Sequence, residues 1–162
     1  MAKQYAPHIE RLLAVAAGGK LLAVGGRRDA AGVTQSSVHL LQLPKLTARF
    51  SAPLDSAATA LAFSDNGLLL AGTADGALAL WRTDGKGETP DAQQAAHSGA
   101  VRGLATLGSQ VVSVGEDGVL KLHEIVTGGE KLHLRETAPR RLSEQPLHVV
   151  VVDAASAFRS AA

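Results

Sequence analysis

The feature that most constrains this chain is an internal repeat. The stretch from His97 to Ile125 contains three apolar segments separated by two short turns, Leu107–Gln110 and Glu116–Gly118. Short segments of roughly alternating polarity, joined by tight turns, are typical of antiparallel strands. About 42 positions earlier, the stretch from Ala58 to Trp81 follows the same pattern, and its turn Asp75-Gly76 aligns with Asp117-Gly118. The sequence therefore predicts an all-β protein built from repeated small sheets.

The length of the repeat indicates how the sheets are arranged. A period of this size is typical of β-propeller blades, each an antiparallel sheet of about four strands. A chain of 162 residues agrees with one domain. The turn signals divide that domain, 1–162, into about three four-stranded antiparallel blades and the start of a fourth. The predicted limits are about 8–52, 57–95 and 97–137 for the blades and about 147–153 for the extra strand.

The first blade is predicted to open with a hairpin and to contain an insertion. Strands are expected over Ile9–Ala16 and Lys20–Val24, followed by a long glycine-containing loop, Gly25–Gln35. Backbone amides of such a loop can bind an anion, but the loop has none of the glycine motifs of nucleotide sites. We therefore expect a loop that contacts a partner, with three candidate binding residues: Arg27, Arg28 and Asp29.

Four residues of the third unit stand at characteristic places. His97 lies near its start, Ser113 lies four positions before Asp117 of the Asp-Gly turn, and His123 follows that Asp by six positions. This pattern resembles the WD-repeat (WD40-like) family of β-propellers, in which the last place is usually Trp. The resemblance implies a buried hydrogen-bonded network in which the carboxylate holds both the turn and the histidine.

The second unit matches the same pattern only in part. Asp75 and Trp81 stand at the Asp and Trp places, whereas Asp55 replaces the His and Ala71 replaces the Ser. We expect Trp81 to be a packed ring whose N–H reaches the Asp55 or the Asp75 side of the blade. The structural tetrad residues that the resemblance implies are thus His97, Ser113, Asp117, His123, Asp75 and Trp81.

The same side chains could suggest chemistry instead of structure. His97, Ser113 and Asp117 are the residue types of a hydrolase triad. At this spacing the structural network is the favoured interpretation, so no catalytic residue is predicted and the protein is not expected to be an enzyme. The histidines and Glu124 lack the compact spacing of metal ligands, so neither a metal nor a cofactor is expected.

Composition narrows the classes of partner. A net charge of +1 gives no field that would favour nucleic acid or an anionic membrane. The longest apolar runs, Leu12–Ala17 and Val149–Val152, are too short to insert into a membrane as helices. The chain has no cysteine, which fits a reducing compartment, and a cytoplasmic location is expected.

A count of three blades raises a problem of exposed surface. Repeated sheets cannot bury their apolar faces alone, and three blades leave two faces without a neighbour. The candidates to cover them are a second copy of this chain, a separate chain with the remaining blades, or a longer parent protein of which this is the N-terminal part. We therefore expect a non-enzymatic protein–protein interaction scaffold, a subunit or fragment of a multiprotein complex whose blades are completed by self-association or by a partner chain. Two alternatives are a regulator of a small GTPase, with an exchange-factor-like propeller that uses Gly25–Gln35, and a lectin-like propeller that binds a small ligand.

Overall fold

The computed structural model describes residues 11–128 and 131–141. In these residues the chain forms twelve strands, and no helix that could cross a membrane is found among them. The strands are β1 (Arg11–Gly18), β2 (Leu21–Ala30), β3 (Val33–Gln42), β4 (Thr47–Leu54), β5 (Ala58–Phe63), β6 (Leu68–Thr73), β7 (Ala77–Arg82), β8 (Ala92–Ala95), β9 (Val101–Leu107), β10 (Gln110–Gly115), β11 (Val119–Gly128) and β12 (Lys131–Arg141).

Consecutive strands pair in groups of four. Strands β1–β4 form sheet 1, β5–β8 form sheet 2 and β9–β12 form sheet 3, and every neighbouring pair is antiparallel. The Asp-Gly turns join the second and third strands of sheets 2 and 3. Gly76 and Gly118 have the positive φ that such turns require. The predicted all-β architecture of three four-stranded antiparallel blades is confirmed. The predicted extra strand, about 147–153, lies outside the described residues.

Sheet 2 is packed on both of its faces. Its second and third strands are buried along almost their whole length, which explains why their sequences are continuously apolar and do not alternate. One face packs on sheet 1 through Leu69, Ala71 and Trp81, which meet Leu40 and Phe50. The opposite face packs on sheet 3, and the buried residues of that interface include Leu70, Leu78, Leu80, Val101, Val111 and Ile125.

The first strands of the three sheets lie next to one another and hold the sheets close together. β1 contacts β5, and β5 contacts β9. Thr59 Oγ1 donates to the carbonyl of Val101 at 2.5 Å, and Thr106 Oγ1 donates to the carbonyl of Phe63 at 2.6 Å. A Cβ added at Gly72 would lie 2.6 Å from Val101 Cβ, so β9 approaches sheet 2 closely only because residue 72 has no side chain.

Sheet 3 has one apolar face that no other described sheet covers. The strand pairs place Val112 opposite Leu122, on the face that points away from sheet 2. Leu120 and Val126 lie on the same face because side chains alternate along β11. All four side chains are half-buried. We call these four residues the outer face of sheet 3.

The prediction of a loop over Gly25–Gln35 is wrong. These residues belong to β2 and β3, which pair continuously from Leu21 with Gln42 to Ala30 with Val33. Gly25 and Gly26 lie inside β2, where they pair with Val38 and Ser37. The lack of a side chain does not prevent a residue from making the backbone hydrogen bonds of a ladder. The turn is made by Ala31 and Gly32, both with positive φ, as in the tight turns of two-residue hairpins.

Candidate functional site

Four side chains in sheet 3 and in the connection before it form one hydrogen-bonded chain. Asp117 Oδ1 and Oδ2 each lie 3.1 Å from His97 Nδ1. His97 Nε2 lies 2.8 Å from Ser113 Oγ, and Ser113 Oγ lies 3.1 Å from His123 Nε2. His97 stands between β8 and β9, whereas the other three residues belong to sheet 3 or its Asp-Gly turn. The structure therefore brings these four predicted tetrad residues together.

The chain of hydrogen bonds extends into sheet 2. Gln94 of β8 lies opposite Leu78 and so points toward sheet 3, where its Nε2 is 3.5 Å from His123 Nδ1. Sequence reasoning missed Gln94, because contact between different sheets cannot be read from strand patterns. With Gln94 included, the network connects sheet 2 to sheet 3.

The groups at the two ends of this hydrogen-bonded network, the Asp117 carboxylate and the Gln94 amide, determine the direction of every hydrogen bond between them. A carboxylate only accepts, so His97 donates to Asp117 from Nδ1–H and its Nε2 accepts from the Ser113 hydroxyl. The Ser113 oxygen then accepts from His123 Nε2–H. His123 Nδ1 is left as the acceptor for the amide group of Gln94. The direction of the hydrogen bonds thus defines which ring nitrogen of each histidine donates.

Asp117 also holds its own turn. Its carboxylate accepts hydrogen bonds from the backbone N–H groups of Ser98 and Val119, each at 3.1 Å. Burial alone would raise the pKa of the Asp117 carboxyl, but these two bonds and the contact with His97 outweigh burial and lower that pKa below its ordinary value. The ionised carboxylate thus stabilises the turn above its ordinary pKa, and this contribution is lost as the pH falls through the lowered pKa.

The geometry matches a catalytic triad in connectivity but not in access. A nucleophilic serine must reach a substrate carbonyl, yet Ser113 is 0% exposed. Its hydroxyl already donates to one histidine and accepts from the other. The side chain of His97 is likewise fully buried. The network is therefore arranged to connect the two sheets and to hold a turn.

The second unit does not form the corresponding network. The indole N–H of Trp81 is buried and has no hydrogen-bond partner, so the prediction that it reaches Asp55 or Asp75 is wrong. The reason is residue 71: Ala71 occupies the place that Ser113 occupies in sheet 3, and it has no hydroxyl to accept from the indole. Asp75 instead accepts from the hydroxyl of Thr73, a residue that sequence reasoning missed, and from the Ala77 N–H at 3.4 Å.

The three predicted partner-binding residues lie together in sheet 1, far along the sequence from the network. Arg27 and Asp29 form an ion pair at 3.3 Å. Thr34 Oγ1 donates to Asp29 Oδ1 at 2.7 Å across the β2–β3 ladder. Arg28 is exposed and, because side chains alternate along β2, points to the opposite face from Arg27. In the described parts of the chain, no cluster of three or more His, Asp or Glu residues could hold a metal ion.

Comparison with solved structures agrees with this fold. The chain is similar to the computationally designed Ika8 protein (TM-score 0.68, 19% identity, 88% of this chain and 40% of that one). It is also similar to the computationally designed Ika4 protein (TM-score 0.64, 23% identity, 84% and 78%) and to U3-55K (TM-score 0.64, 15% identity, 84% and 42%). The chain thus spans about two fifths of the length of Ika8 and of U3-55K. No protein-family model and no curated protein matches its sequence.

The buried His123 predicts a pH dependence of stability. Desolvation is the largest cause that lowers its pKa, from 6.5 to about 4, with Glu136 opposing and His97 and Lys121 adding to the shift. Between these two values the unfolded chain binds a proton that the folded chain does not. Stability therefore falls on acidification, by about 2 kcal/mol between about pH 7.5 and pH 5. Burial also lowers the pKa of His39, which acts in the same direction.

Urea unfolding of variants at both pH values measures the share of this loss that belongs to His123. His123→Gln cannot titrate but can still donate to Ser113, so we expect it to remove about 2 kcal/mol of the pH-dependent loss. His133→Gln, at an exposed position on β12, is the matched control and should leave the loss unchanged. An equal pH dependence in the wild type and in His123→Gln would contradict the assignment.

The unpaired indole of Trp81 predicts a difference between two serine substitutions. Ala71 and Ala79 are both fully buried, lie opposite each other and face sheet 1, but only residue 71 corresponds to Ser113. Ala71→Ser gives the indole N–H an acceptor, whereas Ala79→Ser only buries a hydroxyl. We expect Ala71→Ser to be more stable than Ala79→Ser by about 1 kcal/mol in thermal or urea unfolding. Equal stabilities would show that residue 71 does not face the indole nitrogen.

Proposed function

We propose that this chain is a non-enzymatic, WD-repeat-like scaffold for protein–protein interaction, and that its three blades form part of a larger ring. The observation that carries the proposal is the difference between sheets 2 and 3. Sheet 2 is covered on both faces, whereas the outer face of sheet 3 meets no other described sheet. Burying apolar surface contributes roughly 25 cal/mol per Å², so a further blade packed on this face would add to stability.

Two of the three comparisons, with Ika8 and with U3-55K, support the idea of a partial ring. The chain matches along most of its own length but along about two fifths of Ika8 and of U3-55K. These likenesses are at low sequence identity and concern the fold alone. A set of blades that corresponds to part of a longer chain needs blades from elsewhere to close a ring. A second copy of this chain or another protein chain can supply them.

The chemistry of the outer face of sheet 3 favours protein as the partner. The outer face of sheet 3 is aliphatic, and the covered faces of sheet 2 are likewise apolar. One ion pair, between Arg135 and Glu124, lies on the same side as the outer face of sheet 3. A further blade with an apolar face would bury the outer face of sheet 3 in the way that sheet 1 buries Trp81. Neither this face nor the net charge of +1 offers the basic surface that nucleic acid binding requires.

The buried network supports a role without catalysis. The one serine–histidine–aspartate arrangement in the described residues has no access for a substrate, since Ser113 is fully buried. The lack of cysteine fits a reducing compartment, and we place the scaffold in the cytoplasm.

Light scattering after size exclusion, at two protein concentrations, tests whether the outer face of sheet 3 is an assembly surface. We expect the wild-type chain to form a discrete complex larger than a monomer, either with itself or with a polypeptide that remains bound through purification. Leu122→Glu should abolish the complex because it buries a charge in an apolar interface. Thr127→Glu, an exposed position on the same strand, is the matched control and should leave it intact. A wild-type chain that is monomeric and alone at both concentrations would contradict the proposal.

A further inference from the structure

We infer that the hairpin formed by residues 27–36, called here the ribbon, is a strand-addition site for an extended polypeptide segment of a partner protein. This inference rests on the proposed scaffold function and names the element that takes the partner. The segment would pair with the open edge of β3 at residues 33–35. Strand addition of this kind obtains its affinity from backbone hydrogen bonds and its specificity from alternate side chains.

The ribbon extends past the end of β4. The last pair of the β3–β4 ladder joins Ser36 and Leu54, where β4 ends. The β2–β3 ladder nevertheless continues through three further residue pairs. In sheets 2 and 3 the corresponding hairpins close directly with an Asp-Gly turn. A blade of this protein is therefore complete without a ribbon, and the extra residues of sheet 1 are available for another role.

One edge of the ribbon is open. Residues Val33–Gln35 pair with β2 on one side, whereas on the other side β4 has already ended and no described strand takes its place. The backbone N–H and C=O groups on that side have no ladder partner among residues 11–128 and 131–141. Open strand edges readily pair with another strand, and proteins usually shorten, bend or cover them. Here the edge is extended instead, which is the feature that strand addition requires.

The ribbon is held in shape before any partner binds. The hydrogen bond of Thr34 to Asp29 joins the two strands on one face of the ribbon, and the ion pair of Arg27 with Asp29 lies along β2 on the same face. The turn of Ala31 and Gly32 has the backbone geometry that matches the twist of a hairpin. A preformed edge loses little conformational entropy on binding, so more of the backbone hydrogen-bond energy contributes to affinity.

The opposite face of the ribbon gives the chemistry of the segment. Val33 is 58% exposed, the one large hydrophobic residue in the exposed class among those whose side-chain burial the structure describes. Arg28 and Gln35 are exposed, lie opposite each other and share the face of Val33. Arg28 makes no ion pair with the described residues. The complementary partner segment is an extended strand with an apolar side chain over Val33 and an acidic side chain beside Arg28.

A phage-displayed library of random linear peptides, selected on the immobilised wild-type chain, tests the inference. We expect selection of peptides with alternating apolar and acidic residues. In a trimmed variant, the whole ribbon, residues 27–36, is replaced by Asn-Gly, which preserves the hydrogen-bonded pairing of Gly26 with Ser37 and closes a two-residue hairpin. The selected peptides should bind this variant about tenfold or more weakly, a loss that a few hydrogen bonds and one apolar contact readily account for.

Point variants keep the test independent of how the trimmed chain folds. Val33→Glu and Arg28→Glu each change one exposed side chain of the ribbon and should weaken binding of the same peptides. Ser109→Glu adds the same charge to an exposed turn of sheet 3 and is the matched control, so it should leave binding unchanged.

Three results would overturn the inference. Selection of no peptide would do so, as would equal binding of selected peptides to the wild type and the trimmed variant. A trimmed variant whose mass by light scattering differs from that of the wild type would show that the ribbon pairs with a second copy of this chain. None of these results decides the scaffold proposal, which depends separately on Leu122→Glu and the outer face of sheet 3.

Discussion

The packing of one sheet face on another is the constraint on which this structure depends. A four-stranded sheet of this size cannot stand alone, because both of its faces would expose apolar side chains. Sheet 2 shows the solution, since sheet 1 covers one face and sheet 3 covers the other. The close approach of Val101 to Gly72 shows how tightly the second interface is packed. This double burial explains why β6 and β7 are apolar along almost their whole length.

Polar networks have a secondary part in this arrangement. Sheet 3 has the complete chain of bonds from Asp117 to Gln94, whereas sheet 2 has a tryptophan without a hydrogen-bond partner. Both sheets nevertheless have the same strand order and the same Asp-Gly turn. A turn of this kind is held locally by its own carboxylate, as Asp75 shows with Ala77. The full network therefore adds a connection between sheets 2 and 3 to a blade that apolar packing already forms.

Much of the fold could be predicted from the sequence, because its signals are local and repeated. The Asp-Gly turns and the spacing of His97, Ser113 and Asp117 identified both the blade and its network. The ribbon could not be predicted, because glycines such as Gly25 favour a loop by local propensity whereas their pairing with β3 is a tertiary outcome. The contact of Gln94 with His123 was equally inaccessible, since it depends on the distance between two sheets. The unpaired Trp81 could have been anticipated from Ala71, which already marked the missing hydroxyl.

A double-mutant cycle between Gly72 and Val101 tests the face-to-face packing of sheets 2 and 3 most directly. Gly72→Ala should lower the free energy of unfolding by about 1–3 kcal/mol, because its methyl group overlaps Val101. Val101→Ala removes the two methyl groups of Val101 that lie close to the new methyl at residue 72 and leaves only Cβ. The double variant should therefore lose less unfolding free energy than the two single variants added together, by about 0.5 kcal/mol or more. Gly128→Ala, with no neighbouring heavy atom within 4 Å, should have little effect. Strict additivity of the two substitutions would contradict the packing of sheet 3 on sheet 2 described above.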